Sequence, residues 1–142
     1  MTRISLEQAN VLIAAAFAKG RELDLAPLTV AVTDAGGHPI ALQRQDRAST
    51  MRPRIACAKA SGALALGVSS RRIGAMAADR ATFVSMLGGL APDGILPAAG
   101  GVIVIDADGF PIGAVGVTGD TSDNDEVCAL AGIAAAGLTA QG

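Results

Sequence analysis

Charge is scarce in this sequence. Only 17% of its 142 residues are Asp, Glu, Lys or Arg, where about a quarter is usual for a soluble domain. Aromatic residues are scarcer still: Phe17, Phe83 and Phe110, with no Trp or Tyr. Single-stranded nucleic acid is held on aromatic stacking platforms, and duplexes on a basic footprint. With 11 basic against 13 acidic residues, for a net charge of −2, the chain offers neither, and no nucleic-acid partner is expected. The two cysteines, Cys57 and Cys128, sit in apolar helical patterns and read as buried thiols rather than a disulfide framework. His38 is the lone histidine. HExxH, CxxC and two-His-carboxylate patterns are missing, so no metal site is expected. No apolar run approaches the roughly 18 residues of a membrane span. The opening MTRISLEQAN has no apolar core or cleavage site of a secretory signal, so a cytoplasmic protein without membrane contact is expected.

What the chain has in quantity is aliphatic surface. Hydrophobic residues reach 51%. A chain of this length suits one domain, 1–142, able to bury about two-thirds of its unfolded surface. Its apolar content exceeds what one subunit comfortably covers, so a homo-oligomer, dimer or higher, is expected.

Ser5 and Gln8 form a capping-box pattern ahead of a helix at about 5–23, with Leu6, Ala9, Ile13, Ala16 and Phe17 on one face. Leu28–Thr33 and His38–Leu42 read as strands joined by the turn Asp34-Ala35-Gly36-Gly37. Pro53 suits the first turn of a helix over 52–66, which Gly67 can close. One or two short helices follow, capped by Ser69 or Ser70. The Gly- and Pro-rich stretch 91–101 is a loop, with an edge strand inside 92–101 as an option. Val102–Ile105 and Phe110–Val117 flank Asp106-Ala107-Asp108-Gly109 as a second hairpin. A last helix spans about 122–138, with an apolar stripe of Val127, Leu130, Ala131, Ala134 and Leu138. It is apolar on nearly every side, so a sheet alone cannot cover it. Two hairpins separated by helices give an α+β class with an antiparallel sheet flanked by helices, five-stranded if the edge strand forms.

Chemistry concentrates in two places. In GVTGDTSDNDE, Gly116 and Gly119 permit tight backbone, Thr121 to Asp123 can cap the last helix, and Asp125 and Glu126 complement its dipole. The segment reads equally as a well-capped helix or as a pocket wall. Neither dinucleotide nor P-loop glycine fingerprints occur. The second place holds Arg44, Asp46, Arg52, Arg54 and Lys59. Arginines at a helix start oppose its dipole, which hints at an anionic neighbour. Lys59, alone in an apolar helix, can snorkel to solvent, pair with Asp125, or point into a ligand pocket. Desolvated without a partner, it would have a depressed pKa suited to base or nucleophile chemistry. His38 beside its turn reads as a surface residue or as a donor to a metal centre.

The stretches VAVTDAGGHPIALQRQD (30–46), ACAKASGAL (56–64) and GGVIVIDADGFPIGAVGVTGDTSDNDEVCALAGI (100–133) resemble the GlcG/HbpS-like (DUF336) family, over about residues 4–139. The family is related to the C-terminal domain of PduO-type corrinoid adenosyltransferases. Asp34, Gly36 and Gly37 match its first turn, Arg44 and Asp46 its Arg-x-Asp, and Lys59 and Ala60 its Lys-Ala. Gly100 and Gly101 match its Gly-Gly, and Gly116, Gly119, Asp125 and Glu126 its closing motif. Ile103 replaces a customary proline, and Arg47-Ala48-Ser49 stands where Gly-Ala is common. The resemblance implies a profilin-like fold, oligomers, and in some members heme or cobalamin binding.

Two readings of function follow. In the first, a small molecule, with heme or another tetrapyrrole as the candidate cofactor, lies in an apolar hollow near His38, Arg44, Asp46, Arg54, Lys59, Gly116 and Gly119. In the second, the protein is a small catabolic isomerase or hydrolase of an organic acid. There Lys59, Asp125 and Glu126 are the catalytic groups and Arg44 is the carboxylate clamp. An accessory subunit docking through the last helix is a third.

Overall fold

A computed structural model describes residues 2–142. The chain runs α1 (Leu6–Glu22), β1 (Thr29–Asp34), β2 (Pro39–Arg44), α2 (Arg52–Leu66), α3 (Ser70–Asp79), α4 (Ala81–Leu87), β3 (Gly101–Ile105), β4 (Pro111–Thr118), α5 (Ser122–Ala135) and β5 (Thr139–Ala140). The strands form one sheet in the order β2-β1-β4-β3-β5, antiparallel throughout. The α+β class and the five-stranded antiparallel sheet flanked by helices are as expected.

α1 starts on the capping box: the Ser5 hydroxyl accepts from Gln8 N and the Gln8 side chain from Ser5 N. Its buried face is Ala9, Leu12, Ile13, Ala16 and Gly20. Leu6, expected on that face, is exposed: it is the first residue of α1, nearly a full turn ahead of Ala9, where burial begins. α1 and α5 cover one face of the sheet, where Leu12 and Ile13 meet Val30, Val32, Val104, Val115, Val117 and Ile133. Full burial of each large aliphatic group stabilises by roughly 1.5–3 kcal/mol.

α2 covers the other face by a different device. Ala56, Ala60 and Ala63 are fully buried against it, and two sheet positions beneath are glycine. A Cβ on Gly116 would strike the Ala56 carbonyl, and one on Gly101 the Lys59 carbonyl. Helix backbone therefore rests on strand backbone, which no residue with a side chain permits.

The two hairpins use one turn chemistry. Asp34 Oδ1 accepts from Gly36 N and His38 N at 2.9 and 3.0 Å. Asp106 Oδ1 accepts from Asp108 N and Phe110 N, both at 2.9 Å.

The fifth strand is not in 92–101. That segment crosses α2 and α3 instead, with Gly62 packed on Gly94 and Ile95 and Gly74 on Pro97. β5 forms because α5 ends at Ala135 rather than near 138. Gly137 turns the chain at φ +72°, and Thr139 and Ala140 pair with Ile105 and Val104. The stripe expected along α5 is rotated as well. Cys128, Ala129, Gly132 and Ile133 are buried, while Val127 and Leu130 remain 41% and 42% exposed. Among the described residues no helix is long and apolar enough to cross a membrane.

Candidate functional site

Lys59 and Asp125 do meet. Lys59 reaches from the middle of α2 to Asp125 on the first turn of α5, Nζ to Oδ2 at 3.2 Å. It also donates to the Val117 carbonyl at 3.0 Å. Asp125 Oδ1 accepts from Asp120 N at 2.9 Å. Thus the carboxylate ties α2, the β4–α5 loop and α5 together. Side-chain exposures are 4% and 2%. Burial pulls the Lys59 ammonium below its ordinary pKa despite the attraction of Asp125, and nearby Arg52 adds to the shift. Burial likewise raises the Asp125 carboxyl, against the Asp120 N–H and the Lys59 charge.

Lys59 and Asp125 thus form a buried ion pair, almost without solvent access in the single chain. Glu126 turns away to α3, where it accepts from Arg71 Nε at 3.0 Å. Asp123 pairs with the same guanidinium. Gly116 and Gly119 are likewise taken up by packing: Gly116 under α2, and Gly119, at φ +141°, against the backbone of Pro27 and Leu28.

His38 and Arg44 do not share a cleft. They stand at opposite ends of β2, about 20 Å apart by six steps of extended chain, His38 just before the strand and Arg44 its last residue. At one end, the His38 side chain is 81% exposed, with Nδ1 3.2 Å from Asp34 Oδ1. Burial would raise the Asp34 pKa, but the N–H groups of His38 and Gly36 and the imidazole outweigh it and hold the carboxyl low. Beside this tip lies an open groove of about 370 Å³ lined by Arg3, Ile4, Ser5, Leu6, Asp34 and Ile40. At the other end, Arg44 and Asp46 line an open groove of about 540 Å³ with Phe17, Leu25, Pro27, Gln43 and Gln45. Arg54 is exposed on α2.

Neither cysteine is poised as a nucleophile. Both are free, and burial raises Cys57, helped by Asp93. It pushes Cys128 up to about 11, helped by Asp125 and Asp120. Among the described residues no group of three or more His, Cys, Asp or Glu side chains could hold a metal ion.

Sequence reasoning did not pair Asp34 with His38. The signal was there: an Asp and a His four apart across a tight turn face each other. Asp120 was also missed. It accepts from Ala26 N at 3.0 Å and Asn124 Nδ2 at 2.8 Å, joining the α1–β1 loop to α5. Arg3 carried no pattern that could have marked it.

A single antiparallel sheet between a helix pair and a close-packed third helix defines the class as a small α+β domain. The chain belongs to the HbpS-like family: the family model described as haem degrading protein HbpS-like matches residues 4–134. Its structure is similar to the crystal structure of a PduOC–heme complex, at 23% identity over 99% of this chain and all of that one, TM-score 0.87. It is similar also to Klebsiella pneumoniae protein ORFY of DUF336, at 27% identity over 96% and 93%, TM-score 0.85. The crystal structure of HbpS matches at 28% identity over 94% and 90%, TM-score 0.80. No curated protein matches the sequence.

Proposed function

We propose that the chain is a small-molecule-binding protein that takes heme at the β1–β2 hairpin tip, with His38 as iron ligand. The observation that carries this reading is the His38–Asp34 pair. An imidazole that donates Nδ1–H to a carboxylate presents the Nε2 lone pair outward, the arrangement typical of metal-bound histidine. A single imidazole is a sufficient protein ligand for heme iron, so the donor set fits. Ile4, Leu6 and Ile40 offer apolar surface for a ring, and Arg3 is the cation beside them for a propionate. Heme, when bound, supplies a redox-active iron. The chain's own part is to fix the imidazole tautomer through Asp34 and to shield one side of the ring.

Family membership and the heme held by PduOC support the reading. The groove is open, so a second copy of the chain would cover the outer side of the ring. The exposed Val127 and Leu130 on α5 offer a separate apolar patch for self-association. Hemin titrated into purified protein should sharpen and shift the Soret band and saturate at a fixed stoichiometry, and His38→Ala should abolish the shift. Broad absorbance that never saturates, or an unchanged spectrum in the variant, rejects the site.

A further inference from the structure

We infer a second binding site, for a small oxyanion, at the opposite end of the sheet from His38. The strand register sets Arg44, Thr29 and Thr118 in one row across β2, β1 and β4, as direct cross-strand partners. Direct partners share a face, and this face is the one under α2. Arg52, opening α2, closes the row by donating Nη1 to Thr118 Oγ1 at 2.7 Å.

Three features of the row call for an anion. Arg44 and Arg52 have no carboxylate partner within ion-pair distance among the described residues. The α2 N-terminus, which Arg52 opens, has no side-chain cap and no acidic residue in its first turn. Thr29 is fully buried, and its hydroxyl is the buried side-chain polar atom left without any hydrogen-bond partner among the described residues. Buried hydroxyls are normally satisfied, so this one awaits an acceptor that the protein does not supply. All four side chains can donate a hydrogen bond, two of them as guanidinium forks suited to carboxylate or phosphate oxygens. The Thr29 oxygen has no open surface in this structure, so a ligand oxygen reaches it only once Arg52 swings off Thr118. The ligand class is a small organic acid or a phosphate, entering between β2 and the start of α2 against the two guanidinium groups.

Calorimetric titration at constant ionic strength, with malonate and with inorganic phosphate as separate probes and chloride as the reference, tests this. Saturable binding of at least one probe is expected, and the stronger probe tells carboxylate from phosphate. Arg52→Gln and Arg44→Gln should each weaken it by about tenfold, the usual loss for a hydrogen bond to a charged group. Thr29→Val should raise the thermal midpoint in anion-free buffer and still weaken binding by about threefold or more, a combination that a purely structural threonine would not give. Arg72→Gln, on exposed α3, should bind normally. No saturable heat beyond chloride, unchanged affinity in Thr29→Val, or an equal loss in Arg72→Gln overturns the site. His38→Ala should bind the probe as the wild type does, so failure of the heme reading and failure of this one show in different variants.

Discussion

Lys59 Nζ and Asp125 Oδ2 lie 3.2 Å apart with almost no solvent access, and both pKa values are displaced toward the neutral forms. Lys59 in the folded state sits below its unfolded value near 10.4, and Asp125 above its unfolded value near 3.9. The linkage then has a definite sign. The Lys59 cost is present while it is charged and fades as pH rises toward 10. The Asp125 cost fades as pH falls toward 4. Across neutral pH the buried charges subtract from stability, yet each needs the other. Lys59→Ala or Asp125→Ala alone should destabilise by about 3–5 kcal/mol, while Lys59→Met with Asp125→Leu should come within about 1 kcal/mol of wild type or exceed it. Urea unfolding of the two singles and the double measures this. A double variant as weak as the singles would show that the pair contributes net stability.

Gly116→Ala should be among the most damaging single-methyl additions in the protein. The new Cβ meets the carbonyl of Ala56, which is backbone and cannot rotate aside. Overpacking usually costs about 1–3 kcal/mol, and this site should reach the upper end or pass it. Gly109→Ala provides a contrast: it has open space around it but a φ of +88°, so its cost is backbone strain alone. Thermal midpoints of the two variants separate close packing from conformational preference.

Asp120 should govern part of the acid limb. The Asn124 amide and the Ala26 and Thr121 N–H groups hold its carboxyl below the ordinary value. A depressed carboxyl gives stability that is present above about pH 3.9 and is lost as pH falls through the folded value. Asp120→Asn should therefore flatten the decline of the urea midpoint between pH 5 and pH 2.5. An acid limb parallel to the wild type would assign that decline to other carboxylates.

Asp34→Asn should keep the hairpin, because an amide oxygen can still accept from Gly36 and His38. It should nevertheless change the imidazole, whose Nδ1 loses its carboxylate partner across the turn. Nitrogen-15 NMR of the single histidine ring reads the tautomer directly, and an unchanged ring would show that the pair is absent in solution.

Much of this arrangement was legible from residue order. Pro53 and Gly67 bracket α2 as their backbone preferences require, and the two Asp-x-x-Gly turns gave both hairpins. Lys59 beside Asp125 was one of three open readings, because helical spacing alone cannot say what lies across the sheet. β5 was missed: Thr139 and Ala140 are too few to show alternation, and only the turn at Gly137 brings them to β3. His38 and Arg44 stand apart for a simple metric reason. They are close in sequence, but an extended strand spends those residues on distance, whereas a helix would have kept them within one or two turns.

The backbone contact of α2 with Gly116 and Gly101 has a consequence for how such a scaffold can diversify. Enlarging a residue there is forbidden, and shrinking one is not available, since the smallest is already in place. No chamber can be carved between that helix and the sheet by point substitution. Novelty in what this architecture captures must come from its perimeter, where loops and strand ends can change without disturbing the interior.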